Sequence, residues 1–167
     1  TFAGTQDQNE IFSNGDDQAF IIWRDWRNWP PFNYFGQRID LDGCPQWTVD
    51  GKQISPAGIY WDLPVFTADG EGGFFVAHRS SDLESDFKTY LQKVDRDGVT
   101  QWPDSGIIVY PKMSLNQHAL VPDGAGGFIV IWSDNRVDIY DSNVYVQRVD
   151  ARGTLLWGAG GVPVCVV

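Results

Sequence analysis

The chain has 167 residues, a mass of 18.8 kDa and a net charge of −10 at pH 7. This length fits one domain with a buried core, and a content of 43% hydrophobic and 20% charged residues excludes a disordered tail. An acidic chain without clustered Lys and Arg argues against a nucleic-acid partner, and no apolar run reaches the roughly 20 residues needed for membrane insertion.

A motif that begins with Gln and a basic residue and ends with Asp recurs at residues 37–40, 92–95 and 147–150, so the spacing is about 55 residues. This period divides the chain into three units, about 1–57, 58–112 and 113–167, within a single repeat domain. Other positions keep the same spacing and are expected to have structural roles: Gly43, Gly98, Gly153, Trp47, Trp102 and Trp157.

Each unit predicts four strands in chain order, which we call a, b, c and d. Strand a covers about 8–13, 62–67 and 116–121, and a turn with Asn-Gly or Asp-Gly follows it. Strand b, about 18–24, 73–79 and 127–133, is nearly all apolar, which is typical of a strand covered on both faces. Strand c alternates apolar and polar residues, and an Asp-x-x-Gly turn then leads to strand d. We expect strand d to carry the repeated Trp, running from Leu155 to Trp157 and on toward 162–165.

Four antiparallel strands in every 40–55 residues favour the blade of a β-propeller. The predicted fold class is therefore all-β, with three four-stranded antiparallel blades. A β-sandwich is the structural alternative, but it does not require a 55-residue period. Three blades leave an apolar face bare at each end, so we expect further propeller blades as partners. They would come from the same or another chain, in a six-bladed ring, a longer propeller or an open-ended fibre.

The third unit carries the clearest resemblance to a known family. Its segments DGAGGFIVIWSDNR (123–136), YVQRVDARGTLLW (145–157) and GVPVC (161–165) resemble the propeller-like repeats of large secreted bacterial surface proteins. The resemblance is weaker in the second unit, where His78 replaces a Trp, and weakest in the first, where 14–17 replace the Gly-rich turn. It implies a secreted or cell-surface protein with a repetitive binding or structural role.

Cysteine usage and composition also bear on the compartment. Cys44 and Cys165 are too few for a disulfide framework or a zinc site; they could form one bridge or remain free. Low Lys with high Asp, Gly and Trp suits a secreted bacterial protein. The chain starts at Thr1 without a leader, so we expect a processed product or a part of something longer.

The b–c loops are the best candidates for ligand contact. Exposed Trp and Tyr can stack on sugar rings, and neighbouring Asp, Arg and Asn can bind hydroxyl groups. The alternative is that these aromatic loops fold over the blade and pack on their neighbours. The candidate contacts to a glycan or surface protein are Trp26, Trp29, Tyr34, Asp134, Arg136 and Tyr140.

An Asp recurs at one turn position of every unit, as Asp40, Asp95 and Asp150, and a basic residue precedes it by two positions. We expect the carboxylates to accept turn N–H groups and the basic side chains to pair with a neighbouring blade. Bound Ca²⁺ is the less favoured interpretation, because no full calcium-loop pattern is present. The repeated Trp side chains are expected in the core, and neither a cofactor nor a metal ligand set is expected.

The sequence offers little for catalysis. Its two histidines are His78, at a Trp position, and His118, and no nucleophile elbow is present. A glycosidase needs two nearby carboxylates, whereas Glu10, Glu71 and Glu84 are scattered. We therefore expect a non-enzymatic extracellular binding or adhesion module. A structural subunit of a fibre is the second interpretation, and a glycoside-active propeller enzyme is the third.

Overall fold

The structure is a computed structural model. It describes residues 4–15, 18–27, 32–55, 62–81, 87–103, 106–110, 118–138 and 140–165. Every regular element in these segments is a β-strand, and none of them contains a helix long and apolar enough to cross a bilayer.

The strands form three separate sheets, each a four-stranded antiparallel meander, which confirms the all-β class and the four strands per unit. Sheet 1 comprises β1 (Gln6–Ser13), β2 (Ala19–Asp25), β3 (Asn33–Ile39) and β4 (Lys52–Gln53). Sheet 2 comprises β5 (Asp62–Ala68), β6 (Phe74–Ser81), β7 (Phe87–Val94) and β8 (Ile107–Tyr110). Sheet 3 comprises β9 (His118–Pro122), β10 (Phe128–Asp138), β11 (Asp141–Val149) and β12 (Val162–Cys165).

The fourth strand differs from the prediction, because the repeated Trp lies before it. Leu155 makes only an isolated bridge to Val149, and β12 starts at Val162, after Trp157. The side chain of Gln147 explains this path: its Oε1 accepts the N–H of Trp157 at 2.8 Å and its Nε2 donates to the Gly158 carbonyl. Gln37 and Gln92 hold Trp47 and Trp102 in the same way.

The second sheet is covered on both faces. Phe74 and Phe75 are consecutive in β6, so their side chains point to opposite faces, and both are fully buried. Phe74 contacts Phe20 of sheet 1 at 5.0 Å between ring centroids, and Phe75 contacts Phe128 of sheet 3 at 4.5 Å. The core therefore consists of two layers, one on each side of sheet 2.

Each Asp-x-x-Gly turn is closed by its own carboxylate. Asp40 Oδ1 accepts the N–H groups of Asp42 and Cys44, and the same pattern recurs at Asp95 and Asp150. These bonds lower the pKa of Asp150, chiefly through the N–H of Thr154. The turn ends on a glycine with a φ of 76°, 75° or 88°, a conformation that costs glycine least. These are Gly43, Gly98 and Gly153.

In the second and third units the basic residue before the turn pairs within its own sheet, which corrects the expectation of pairing between blades. Arg148 Nε donates to Asp123 Oδ2 at 2.8 Å, and Lys93 Nζ lies 2.7 Å from Glu71 Oε2. In sheet 1 Asn14 occupies the position of Asp123. The buried Arg38 Nε and Nη1 atoms there have no hydrogen-bond partner within the described part of the chain.

Candidate functional site

The predicted contact Trp26 lies at the end of β2 and is half-buried rather than open. Its indole N–H donates to Asp7 Oδ1 at 3.4 Å, and its ring lies 5.2 Å from Phe32. The Arg24 guanidinium lies over the Trp26 ring at 4.9 Å and donates two 2.7 Å hydrogen bonds to the Asp7 carboxylate. The Arg24 bonds are the main cause of the lowered pKa of Asp7. Trp29, the second predicted contact of this loop, lies outside the described residues.

Tyr34 is not the exposed contact that the sequence predicts, since only 2% of its surface is accessible. The ring packs in the layer between sheets 1 and 2. Its hydroxyl donates to Gln8 Oε1 at 3.1 Å, and its backbone N–H donates to Ser55 Oγ at 2.8 Å. Tyr34 therefore anchors β3 to β1, with its hydroxyl as the polar end.

Asp134 and Arg136 form a buried hydrogen-bonded cluster with Trp132 in sheet 3, which we call the clasp. The Asp134 carboxylate is buried, and it accepts the Trp132 indole N–H at 2.7 Å and the Nε and Nη2 groups of Arg136. Arg136 Nη1 then donates to the Gly160 carbonyl at 2.8 Å, and its guanidinium lies 3.7 Å from the Tyr145 ring centroid. These groups fasten β10 to the segment before β12.

Sheet 1 contains the same clasp. Asp25 Oδ2 accepts the Trp23 indole N–H at 3.0 Å and Arg27 Nη2 at 2.6 Å, and Arg27 lies 4.2 Å from the Phe35 ring centroid. Burial alone would raise the pKa of Asp25, but the bonds from Arg27 and Trp23 outweigh it and hold the pKa at about 2. In sheet 2 the Trp position is His78, which is fully buried and stacked on Tyr90 at 5.5 Å.

The sixth predicted contact, Tyr140, lies at the turn between β10 and β11. It is 88% exposed, so it is the most accessible of the predicted aromatic contacts among the described residues.

A cleft of about 310 Å³ opens between sheets 1 and 2. One side carries exposed polar side chains of β1, the other side is apolar and comes from β5, and Tyr34 completes the lining. The lining residues are Gln8, Asn9, Glu10, Tyr34, Pro64, Val65 and Phe66.

Two equivalent bulges shape this cleft. In β1, Gln8 and Asn9 together lie opposite one residue of β2, and Gln8 has a φ of 50°. In β5 the register shifts in the same way between Asp62 and Val65, 55 positions along the chain. Bulges redirect side chains and bend a strand. Here the bulge residues Gln8 and Asn9 line one side of the cleft and Pro64 lines the other.

The polar side of the cleft includes one carboxylate. Glu10 keeps exposed surface, and the desolvation of its carboxyl group raises its pKa. From Tyr34 a row of aromatic rings leads out of the cleft, because Tyr34 lies 6.2 Å from Phe32 and Phe32 lies 5.2 Å from Trp26. Amide, carboxyl and hydroxyl groups beside an aromatic row can bind a ligand that presents many hydroxyl groups.

The sequence did not single out Gln8 and Asn9, because two polar residues in a first strand carry no motif. Their correspondence to Leu63 and Pro64 one period later is the signal that could have located the bulge. In the described segments, no three His, Cys, Asp or Glu side chains are grouped closely enough to hold a metal ion. Cys44 and Cys165 are both exposed and unbridged, and the His118 side chain is not among those described.

Comparison with known proteins gives a structural likeness. No protein-family model and no curated protein matches the chain. A solved structure, an endo-arabinase from Bacteroides thetaiotaomicron, superposes with a TM-score of 0.50 at 14% sequence identity. The match covers 95% of this chain and 55% of that one, so the chain spans about half the length of its structural neighbour. At this identity the likeness concerns the fold.

Proposed function

We propose that the three sheets are blades of a β-propeller and that the chain is an extracellular binding module for a glycan. The ligand site is the cleft between sheets 1 and 2, with Trp26 and Phe32 at its outer edge. The sequence predicts ligand contacts in the b–c loops alone. The proposed site also includes the polar residues of β1, which lie next to the b–c loop of sheet 1.

The composition of the cleft lining carries the proposal. Gln8, Asn9 and Glu10 present amide and carboxyl groups with exposed surface on one side, and Pro64 and Phe66 form an apolar wall on the other. A sugar has the same division, since its hydroxyl groups need hydrogen-bond partners while the faces of its ring pack on apolar surface.

The propeller assignment is supported by the way the sheets stack. Each has four antiparallel strands, the sheets pack face to face, and β5 contacts both β1 and β9. Such packing brings the first strand of each unit to one side, as expected for strands that surround an axis. The likeness to an endo-arabinase supports the same fold and leaves the ligand of this chain open. Secretion and surface location rest on the composition and on the resemblance of the repeats.

A glycan-binding screen followed by calorimetry with the best glycan tests the proposal. We expect Asn9→Ala and Glu10→Gln each to weaken binding at least about tenfold, because the first removes an amide contact and the second replaces a charged hydrogen-bond acceptor by a neutral amide. Asp97→Ala, an exposed turn residue outside the cleft lining, is the matched control and should bind like the unmodified chain. A glycan that binds equally well to all three variants would place the site elsewhere.

The alternative to a binding module is a glycosidase, and incubation with the same glycans can identify it. Glu10 is the one carboxylate among the described cleft residues, whereas a glycosidase needs a pair about 5–10 Å apart. We expect the bound glycan to be recovered intact after prolonged incubation. If new reducing ends appear and Glu10→Gln abolishes them, the protein is a hydrolase rather than a binding module.

A further inference from the structure

The two interfaces between sheets are built by one repeated contact. In the first, the Trp47 ring of sheet 1 lies on the turn of sheet 2, with its N–H donating to the Arg96 carbonyl at 3.0 Å. The ring is so close that a Cβ at Gly98 would lie 3.2 Å from it. In the second interface, Trp102 of sheet 2 lies equally close to Gly153 of sheet 3, again at 3.2 Å.

The apolar strands of each interface follow the same rule. The face of sheet 2 that carries Phe75, Ala77 and Leu91 is fully buried against sheet 3. Ile107 completes this face, and it also packs on Gly153. Every interface thus joins a Trp-bearing face of one sheet to a glycine-turn face of the next. The contact is head-to-tail rather than symmetric.

Sheet 3 presents a Trp-bearing face that no described residue covers. Trp157 is 38% exposed, whereas its equivalent Trp102 is 8% exposed. The strand residues on this face are apolar as well: Val121, Ile131 and Val162 are 54%, 41% and 43% exposed. They correspond by strand register to Thr67, Ala77 and Ile107 of sheet 2, of which Ala77 and Ile107 pack against sheet 3.

Sheet 1 presents an open glycine-turn face, which is the other side of the same kind of contact. No described residue lies within 4 Å of a Cβ built at Gly43, the equivalent of Gly98 and Gly153. The neighbouring Leu41 is the equivalent of Arg96, whose carbonyl accepts the hydrogen bond from the Trp47 N–H. Leu41 is 77% exposed. On the same open face Ile11 is 68% exposed, while its equivalents Phe66 and Leu120 pack against the core.

We infer that these two faces bind each other between two copies of the chain. Trp157 and Val162 of one copy lie on the Gly43 turn of the other, and the Trp157 N–H donates to the Leu41 carbonyl. Because the contact is head-to-tail, two copies that satisfy both ends form a closed ring of six sheets, within the four to eight units of known propellers. This inference does not depend on the glycan proposal, since none of these residues lines the cleft.

Light scattering of the chain over a range of concentrations tests the inference, and a particle of two chains is the expected result. Two variants address opposite ends of the contact. Trp157→Ala removes the ring, and Gly43→Asn adds a side chain where the ring must lie, in a left-handed turn that Asn tolerates. Each should weaken association at least about tenfold, as for other buried interface anchors.

Gly70→Asn is the matched control, because Gly70 has a φ of 77° and equally open surroundings but lies in the middle unit. Circular dichroism should show that all three variants retain the β-sheet fold. A 1:1 mixture of Trp157→Ala and Gly43→Asn chains should regain pairs, since each supplies the face that the other lacks. A monomer at every concentration would overturn the inference. Association that both Trp157→Ala and Gly43→Asn leave intact would overturn it too.

Discussion

The indole N–H of Trp132 donates a 2.7 Å hydrogen bond to Asp134, two residues further along β10. Alternate residues of a strand share a face, so Trp132, Asp134 and Arg136 all lie on the same side of the sheet. The carboxylate thereby receives an indole and a guanidinium at once, away from solvent. A Trp-x-Asp-x-Arg sequence in a strand can thus form this clasp from nearby residues alone. The same sequence recurs as Trp23, Asp25 and Arg27, in β2 and the turn after it.

Breaking the clasp in sheet 3 should destabilise the fold. Asp134→Ala leaves the Arg136 guanidinium without its carboxylate and the Trp132 N–H without an acceptor, so we expect a loss of about 3 kcal/mol in the free energy of unfolding. Urea unfolding followed by tryptophan fluorescence measures it. Asp141→Ala, an exposed position at the start of β11, should change the stability by less than about 0.5 kcal/mol. Equal effects of the two substitutions would contradict a buried clasp.

Acid should weaken the corresponding clasp in sheet 1. The pKa of Asp25 is about 2 in the folded chain, below its ordinary value of 3.8, so the charged form stabilises the fold at pH 5 and above. That contribution, about 2 kcal/mol at 1.36 kcal/mol per pH unit, should be lost as the pH falls from about 4 to about 2. Asp25→Asn should remove this part of the pH dependence in urea titrations at several pH values. An unchanged acid profile in the variant would contradict the assignment.

The buried Gln92 should be needed to position Trp102. Its amide accepts the N–H groups of Lys93 and Trp102 and donates to the Trp102 carbonyl. Gln92→Met keeps the length of the side chain but leaves those groups unpaired, so we expect a loss of about 2 kcal/mol. Differential scanning calorimetry measures the change. The exposed Gln101→Met is the comparison, and it should shift the midpoint far less, because water can replace its bonds.

Phe74 and Phe75 should report on different interfaces. Phe74→Ala opens a cavity against sheet 1 and Phe75→Ala one against sheet 3, each at a cost of about 3–5 kcal/mol. Limited proteolysis with mass spectrometry should therefore release the first unit more readily in Phe74→Ala and the third unit more readily in Phe75→Ala. Val49→Ala, at an exposed position, should leave the cleavage pattern unchanged. Identical patterns for the two Phe variants would mean that the sheets unfold as one unit.

Several features of the fold could be predicted from the sequence because they depend on nearby residues. A carboxylate that closes its own turn and a glycine with positive φ act within four positions of each other, as at Asp95 and Gly98. Strand b was predictable for the same reason, since an unbroken apolar run such as 74–77 between turn residues is typical of a strand covered on both faces. Repetition at 55 residues then placed all three sheets.

The roles of individual side chains were decided by tertiary structure. Tyr34 and Asp134 occur in segments whose composition predicts exposed contacts, yet the sheet beside Tyr34 and the clasp around Asp134 bury both. Trp157 shows the reverse, because its sequence context matches that of Trp102, yet no sheet of the described residues covers it and it is exposed. Local sequence determines which face of a strand is apolar. Whether that face meets another sheet or solvent depends on contacts between residues far apart in the chain, and the cleft beside Gln8 arises from the same long-range placement of two strands.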